Sequence, residues 1–205
     1  MARNRRLLVI QMAALGYDLV RQYHARFSET GLSFHGLAPV FPAVTCTAQA
    51  TFRTALEPEG HGMICNGFFD RTTRRTEFWN QSAALLPARR IWDGAASHGA
   101  TVGVLFWQQS LGDDADVVLS PAPIHKHHGG MIQDCYSRPA ELYGRLCEAV
   151  GRSFNLMGYW GPMASRKSSD WIAAATGDLL AADDAPDLLL TYLPHLDYGL
   201  QKWGP

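Results

Sequence analysis

The sequence predicts an α/β fold, a mostly parallel sheet with helices on both faces, forming one domain over residues 1–205. Two observations carry this. Short unbroken apolar runs recur along the chain, as in strands covered on both sides. Between them lie stretches whose apolar residues repeat at helical spacing, and strand–helix alternation marks a parallel sheet.

The elements follow in order. Leu7 to Met12 is the first apolar run and is predicted as a buried strand. The basic start, Met1 to Arg6, with the apolar stretch behind it imitates a signal peptide, but Gln11 interrupts the run and Gly16-Tyr17-Asp18 follows at once, so a strand is preferred. Tyr17 to Phe27 places Leu19, Val20, Tyr23 and Phe27 on one helical face. Val40-Phe41-Pro42 reads as the end of a second strand, and Ala48 to Leu56 as a helix. Arg71 to Arg75 reads as a solvated hairpin turn, with a grip on an anionic substrate as the lesser alternative. Phe78-Trp79 beside amides reads as core or as a lid over a ligand ring. Ala88 to His98 is predicted helical up to Gly99, and Thr101 to Trp107 and Asp116 to Ser120 are predicted strands. Ser137 to Gly151 is predicted as a helix capped by Ser137, and Ser168 to Ala181 as another. Asp187 to Leu193 is the last predicted strand.

Composition narrows the classes. Hydrophobic residues make up 47% of the chain, enough for a sizeable core. A net charge of −1 gives no electrostatic reason to expect a nucleic-acid polymer or a membrane surface as partner. No run approaches the ~20 apolar residues of a membrane span. The cysteines, Cys46, Cys65, Cys135 and Cys147, form no CxxC pair, which fits reduced thiols and a cytoplasmic setting.

The stretch Pro42 to Asp70 concentrates the chemistry. Thr45 precedes a predicted helix. A threonine there is either a cap for the free N–H groups of the first turn or a nucleophile facing an anion held by them. Farther on come Thr54-Ala55-Leu56-Glu57-Pro58-Glu59-Gly60-His61-Gly62, then Asn66 and Asp70, and near the end Tyr192-Leu193-Pro194-His195-Leu196-Asp197 with Gly204-Pro205.

These motifs, in this order, resemble the nucleotide pyrophosphatase/phosphodiesterase branch of the alkaline phosphatase superfamily. The resemblance implies a metal-dependent hydrolase that cleaves a phosphodiester or pyrophosphate through a covalent phospho-threonine. Thr45 would be the nucleophile and Asn66 the donor to a phosphate oxygen. Asp197 would be a metal ligand, with Gln201 as a weaker one where the family has histidine. The implied cofactor is a divalent metal, zinc first with manganese or magnesium as alternatives, as one or two ions. The implied partner is a small phosphorylated substrate. The chain departs from the pattern at Ala13, which stands where the first strand of the family carries an aspartate ligand. The remaining family ligands would fall beyond residue 205. A missing C-terminal half or a second chain is therefore an expected complement. The competing reading is a catalytically incomplete lobe with a binding or structural role.

His125, His127 and His128 lie within Ile124 to Gly130. Gly129-Gly130 favours a loop, with a structural role for the histidines. The sharper reading has His125 and His127 overhanging the active edge to contact phosphate or replace a ligand. The hydrolase reading requires Thr45 and Asp197 to meet at one rim of the sheet.

Overall fold

The computed structural model describes residues 6–23 and 28–205, and of His125 the backbone alone. Along the chain run β1 (Leu7–Met12), α1 (Tyr17–Gln22), α2 (Thr45–Thr54), the single turn α3 (Pro58–His61), β2 (Gly67–Asp70), β3 (Arg75–Phe78), the single turn α4 (Asp93–Ala96), β4 (Val102–Leu105) and β5 (Val117–Pro121). They are followed by β6 (Ile124–His125), β7 (Met131–Ile132), β8 (Cys135–Arg138), α5 (Leu142–Val150), α6 (Arg166–Ala181), β9 (Leu188–Leu193) and α7 (His195–Trp203). The predicted extension of α1 to Phe27 reaches residues outside those described.

The main sheet has the order β1-β9-β4-β5-β8. The first four strands are mutually parallel, and β8 runs antiparallel to β5. This is the predicted α/β, mostly parallel architecture. The interior strands read as apolar runs because both their faces are covered: Val104, Leu105, Val118, Leu119, Leu189 and Leu190 are all buried. Gly103 is required by close approach, since a Cβ there would lie 2.7 Å from Leu189 Cδ1 and 2.9 Å from Pro186 Cγ. α6 turns Trp171, Ile172, Ala175 and Leu179 inward at helical spacing. Trp171 closes an aromatic cluster, its ring centroid 5.1 Å from Phe154, which is in turn 4.5 Å from Phe106. Among the described residues no helix is long and apolar enough to cross a membrane.

Several expectations need correcting. β1 is an edge strand that pairs, among the described residues, only with β9. Leu7, Ile10 and Met12 are 60%, 50% and 40% exposed, so β1 is not buried on both sides. The Val40-Phe41-Pro42 run forms no strand, because it has no sheet partner, and Phe41 is exposed. The predicted helix over Ala88 to His98 shrinks to α4, since Arg90 N donates to the Asp93 carboxylate ahead of it and caps the turn late. Ser137 belongs to β8; pairing with β5 wins over its capping propensity, and α5 starts only at Leu142. The segment after β9 was read as a strand end and forms the helix α7.

Candidate active site

α2 begins at Thr45, three residues earlier than predicted. Its cap residue is Val44, extended and without a side-chain cap, so the Thr45 hydroxyl is not used for capping. The capping is done from outside. Asn66 Oδ1 accepts from the Cys46 N–H at 3.0 Å. That bond occupies the carbonyl end of the Asn66 amide and leaves its Nδ2–H groups as the donors for a ligand. The predicted cap role of Thr45 thus passes to Asn66.

Asn66 is positioned in turn by the β2–β3 hairpin. Its backbone carbonyl accepts from Trp79 N–H at 3.0 Å. Trp79 has φ 54, a left-handed backbone unusual for a bulky residue. The hairpin turn is the solvated one predicted for Arg71 to Arg75, closed by Asp70 Oδ1 accepting from Thr72 and Thr73 N–H. The loop between α2 and β2 is pinned by His61. Its Nδ1 accepts from Met63 N–H at 3.0 Å, so Nε2 carries the proton and donates to Thr51 Oγ1 at 2.9 Å. Burial lowers the pKa of His61 and keeps it neutral.

Beneath Thr45, one helical turn on, Gln49 is fully buried and both ends of its amide are used. Its Nε2 donates to Gln11 Oε1 on β1 at 2.6 Å, and its Oε1 accepts from Gln108 N–H at 2.6 Å. Gln108 sits in a turn after β4 in which Phe106 and Gln109 have φ 57 and 49. Gln81 donates to the Gln108 side chain. α2 is therefore tied to the carboxyl ends of β1 and β4 by amides.

These elements enclose a cavity of about 520 Å³. Thr45, Asn66, Asp197 and Gln201 all line it. They share it with Phe78 and Trp79 from the hairpin, Gln108, Pro123, Met131, Tyr159 to Gly161, Tyr192, Pro194 and Tyr198. Thr45 and Asp197 thus meet at one rim, where the parallel strands β9 and β4 end. Thr45 arrives there from the start of α2 and a strandless lead-in, not from the end of a strand. The aromatic pair Phe78-Trp79 lines the cavity and is not core. His127 and His128 are exposed and, unlike the flanking Pro123 and Met131, are not part of the lining; the His125 side chain lies outside the description. Tyr159, Trp160, Tyr192 and Tyr198 were not anticipated. The signals for them were weak: Tyr192 stands at the end of an apolar strand, and Trp160 next to the helix-breaking pair Gly161-Pro162.

Tyr192 is hydrogen-bonded to the Thr45 side chain. Burial raises its pKa despite that bond, so its phenol stays protonated near neutrality and positions the Thr45 oxygen without acting as a base. Burial likewise pushes the Cys46 thiol up to about 11, which makes it an inert neighbour.

The fit of a metal can be read from the donors. Among the described residues no group of three or more His, Cys, Asp or Glu is arranged to hold a metal ion. Within the cavity lining the only carboxylate is Asp197, whose Oδ2 accepts from Gln201 Nε2 at 2.8 Å. That bond turns the Gln201 amide N–H, not a lone pair, toward Asp197. Ala13 brings a methyl group to the end of β1, where its N–H donates to Leu193 O at 3.0 Å. One carboxylate and one donating amide do not fit a zinc or magnesium site, which takes at least three protein or substrate ligands of the right kind.

Residues 9–205 match the family model described as type I phosphodiesterase/nucleotide pyrophosphatase. An uncharacterised pyrophosphatase/phosphodiesterase of Schizosaccharomyces pombe is 25% identical over 169 residues, which cover 82% of this chain and 29% of that protein. The fold is similar to murine ectonucleotide pyrophosphatase/phosphodiesterase 5, with TM-score 0.59 and 17% identity over 98% of this chain and 46% of the other. It is also similar to phosphonoacetate hydrolase from Sinorhizobium meliloti bound to phosphonoformate, with TM-score 0.61 and 15% identity over 95% of this chain and 47% of the other. The chain thus spans about half the length of the solved structures and less than a third of the curated relative it matches.

Proposed function

This chain belongs to the type I phosphodiesterase/nucleotide pyrophosphatase family, and from that premise we propose that its cavity hydrolyses a phosphodiester or pyrophosphate bond through Thr45. The observation that carries the reading is the meeting of Thr45, Asn66 and Asp197 in a single cavity at the strand ends. Thr45 Oγ1 attacks phosphorus, a new O–P bond forms, and the ester or anhydride oxygen leaves with the bonding electrons and takes up a proton. Water then attacks the phospho-threonine, restoring the hydroxyl and releasing the phosphate product. Asn66 Nδ2–H donates to the phosphoryl oxygen on which charge develops, and the start of α2 favours that charge. Tyr192 holds the attacking oxygen in place.

A small phosphorus-bearing substrate is supported by the bound states of two structural relatives: AMP on an inactive form of the murine protein, and phosphonoacetate on the bacterial hydrolase. Zinc is the first metal to test, with manganese and magnesium next. The donors described here do not complete a site, so no step above runs through a metal. The test is turnover of bis-p-nitrophenyl phosphate by the wild type and Thr45→Ala, each with zinc, manganese or chelator. The expected result is wild-type turnover that Thr45→Ala loses. Equal rates in the two proteins would reject the reading in favour of a lobe without catalysis.

A further inference from the structure

The cavity poses a charge problem that its own side chains do not solve. Asp197 is the only ionisable acid or base among its lining residues; no lysine, arginine or histidine stands there. The tyrosines bring no further charge, since burial raises the pKa of Tyr159, Tyr192 and Tyr198. A carboxylate among aromatic rings with no cation is unfavourable, and it repels a phosphate docked against Thr45. Ala13 and the donating amide of Gln201 do not bring a metal to cancel it.

We propose that the counter-charge arrives with the ligand: the cavity binds an organic cation, an ammonium head, against Asp197 and the faces of Trp79 and Trp160. The inference rests on the reading of this cavity as the substrate site, and its substrate would be a phosphoester that carries that ammonium at its other end. Three features favour it. Gln201 fixes Asp197 by its Oδ2 at 2.8 Å and leaves Oδ1 turned to a ligand. Aromatic faces attract a weakly hydrated cation by their quadrupole, indole most of all, and both Trp79 and Trp160 line the wall. Trp79 is held in place by a left-handed backbone at φ 54 and by its N–H bond to Asn66 O at 3.0 Å. A strained residue at a cavity wall is where a ligand-facing role is expected. The same bond links the cation wall to Asn66, the residue assigned to the phosphoryl oxygen.

The test is binding, with no turnover involved. Tetramethylammonium is titrated into the full chain in the presence of chelator, followed by calorimetry or ligand-observed NMR, beside the uncharged isostere 3,3-dimethyl-1-butanol. The expected result is saturable binding of the cation and binding of the alcohol weaker by roughly tenfold or more. Asp197→Asn, which keeps the size of the side chain, should weaken the cation roughly tenfold and leave the alcohol unchanged. Should Asp197→Asn fail to fold, Trp79→Leu serves in its place, with the same selective loss expected. Equal binding of cation and alcohol, no binding of the cation, or unchanged binding in the folded variants would overturn the proposal. So would zinc that binds once the chelator is removed and displaces the cation only when Asp197 is present. Loss of turnover in Thr45→Ala with no cation binding would leave the hydrolase reading standing and sink this one. Cation binding without turnover would do the reverse.

Discussion

The two ends of α2 use polar groups in opposite ways. At the Thr45 end, polar side chains face a cavity and keep bonding capacity for a ligand: the Thr45 hydroxyl, the Asn66 amide and the Asp197 carboxylate. At the Arg53 end, the guanidinium is fully buried and its charge is met inside the protein. Arg53 Nη1 lies 3.4 Å from Asp113 Oδ2, and Arg90 Nη2 lies 3.5 Å from the same oxygen. Two guanidinium groups share one buried carboxylate. Burial pulls the Arg53 pKa down and Asp113 opposes it. The contrast teaches that burial decides function here: polarity that is open does chemistry, and polarity that is sealed fastens the helix to the loop after β4.

The comparison can be broken most sharply at Thr45. Thr45→Ala should lower turnover by roughly a thousandfold or more while leaving the thermal midpoint within about a degree or two. A large fall in the midpoint would make Thr45 structural and erase the contrast. Asp113→Ala should do the converse. It strands two buried guanidinium groups and should cost about 3–5 kcal/mol in urea unfolding. A loss below about 1 kcal/mol would mean that water reaches the cluster.

Asn66→Ala sits between these extremes because the residue both caps α2 and faces the ligand. It should cost about 1 kcal/mol of stability and roughly a hundredfold in kcat. A stability loss alone would confine Asn66 to capping. Cys46 offers a milder probe. With its thiol pushed up to about 11 by burial, it should resist alkylation at pH 8 while exposed Cys65 reacts, as read by peptide mass spectrometry. The smallest effect concerns His61. Its folded pKa lies below the ordinary histidine value, so the folded state holds fewer protons than the unfolded one. Stability from this group is therefore present above about pH 6.5 and falls as the pH drops through the lowered value. His61→Gln should flatten that part of the acid unfolding profile.

Much of the fold was legible because the inner strands carry unbroken apolar runs. Leu188 to Leu193 and Val102 to Leu105 announce themselves by composition. β8 was not legible: Cys135 to Arg138 has no apolar run, and only the neighbouring β5 makes it a strand. Thr45, Asn66 and Asp197 were legible as residues because their spacing resembles a family pattern. Their relation was not, since no local rule indicates that Asn66 caps a helix begun by Thr45. The wall of Trp79, Trp160, Tyr192 and Tyr198 was the least legible. Aromatic residues are as common in cores as in cavities, and sequence alone does not separate the two.

The open flank of β1 carries a practical consequence. Six residues there offer unpaired amide and carbonyl groups along a side that also shows Leu7, Ile10 and Met12 to water. An extended chain laid alongside would gain both hydrogen bonds and apolar contact. Preparations of this span should therefore self-associate as concentration rises, and a lysine placed at Ile10 should keep them dispersed.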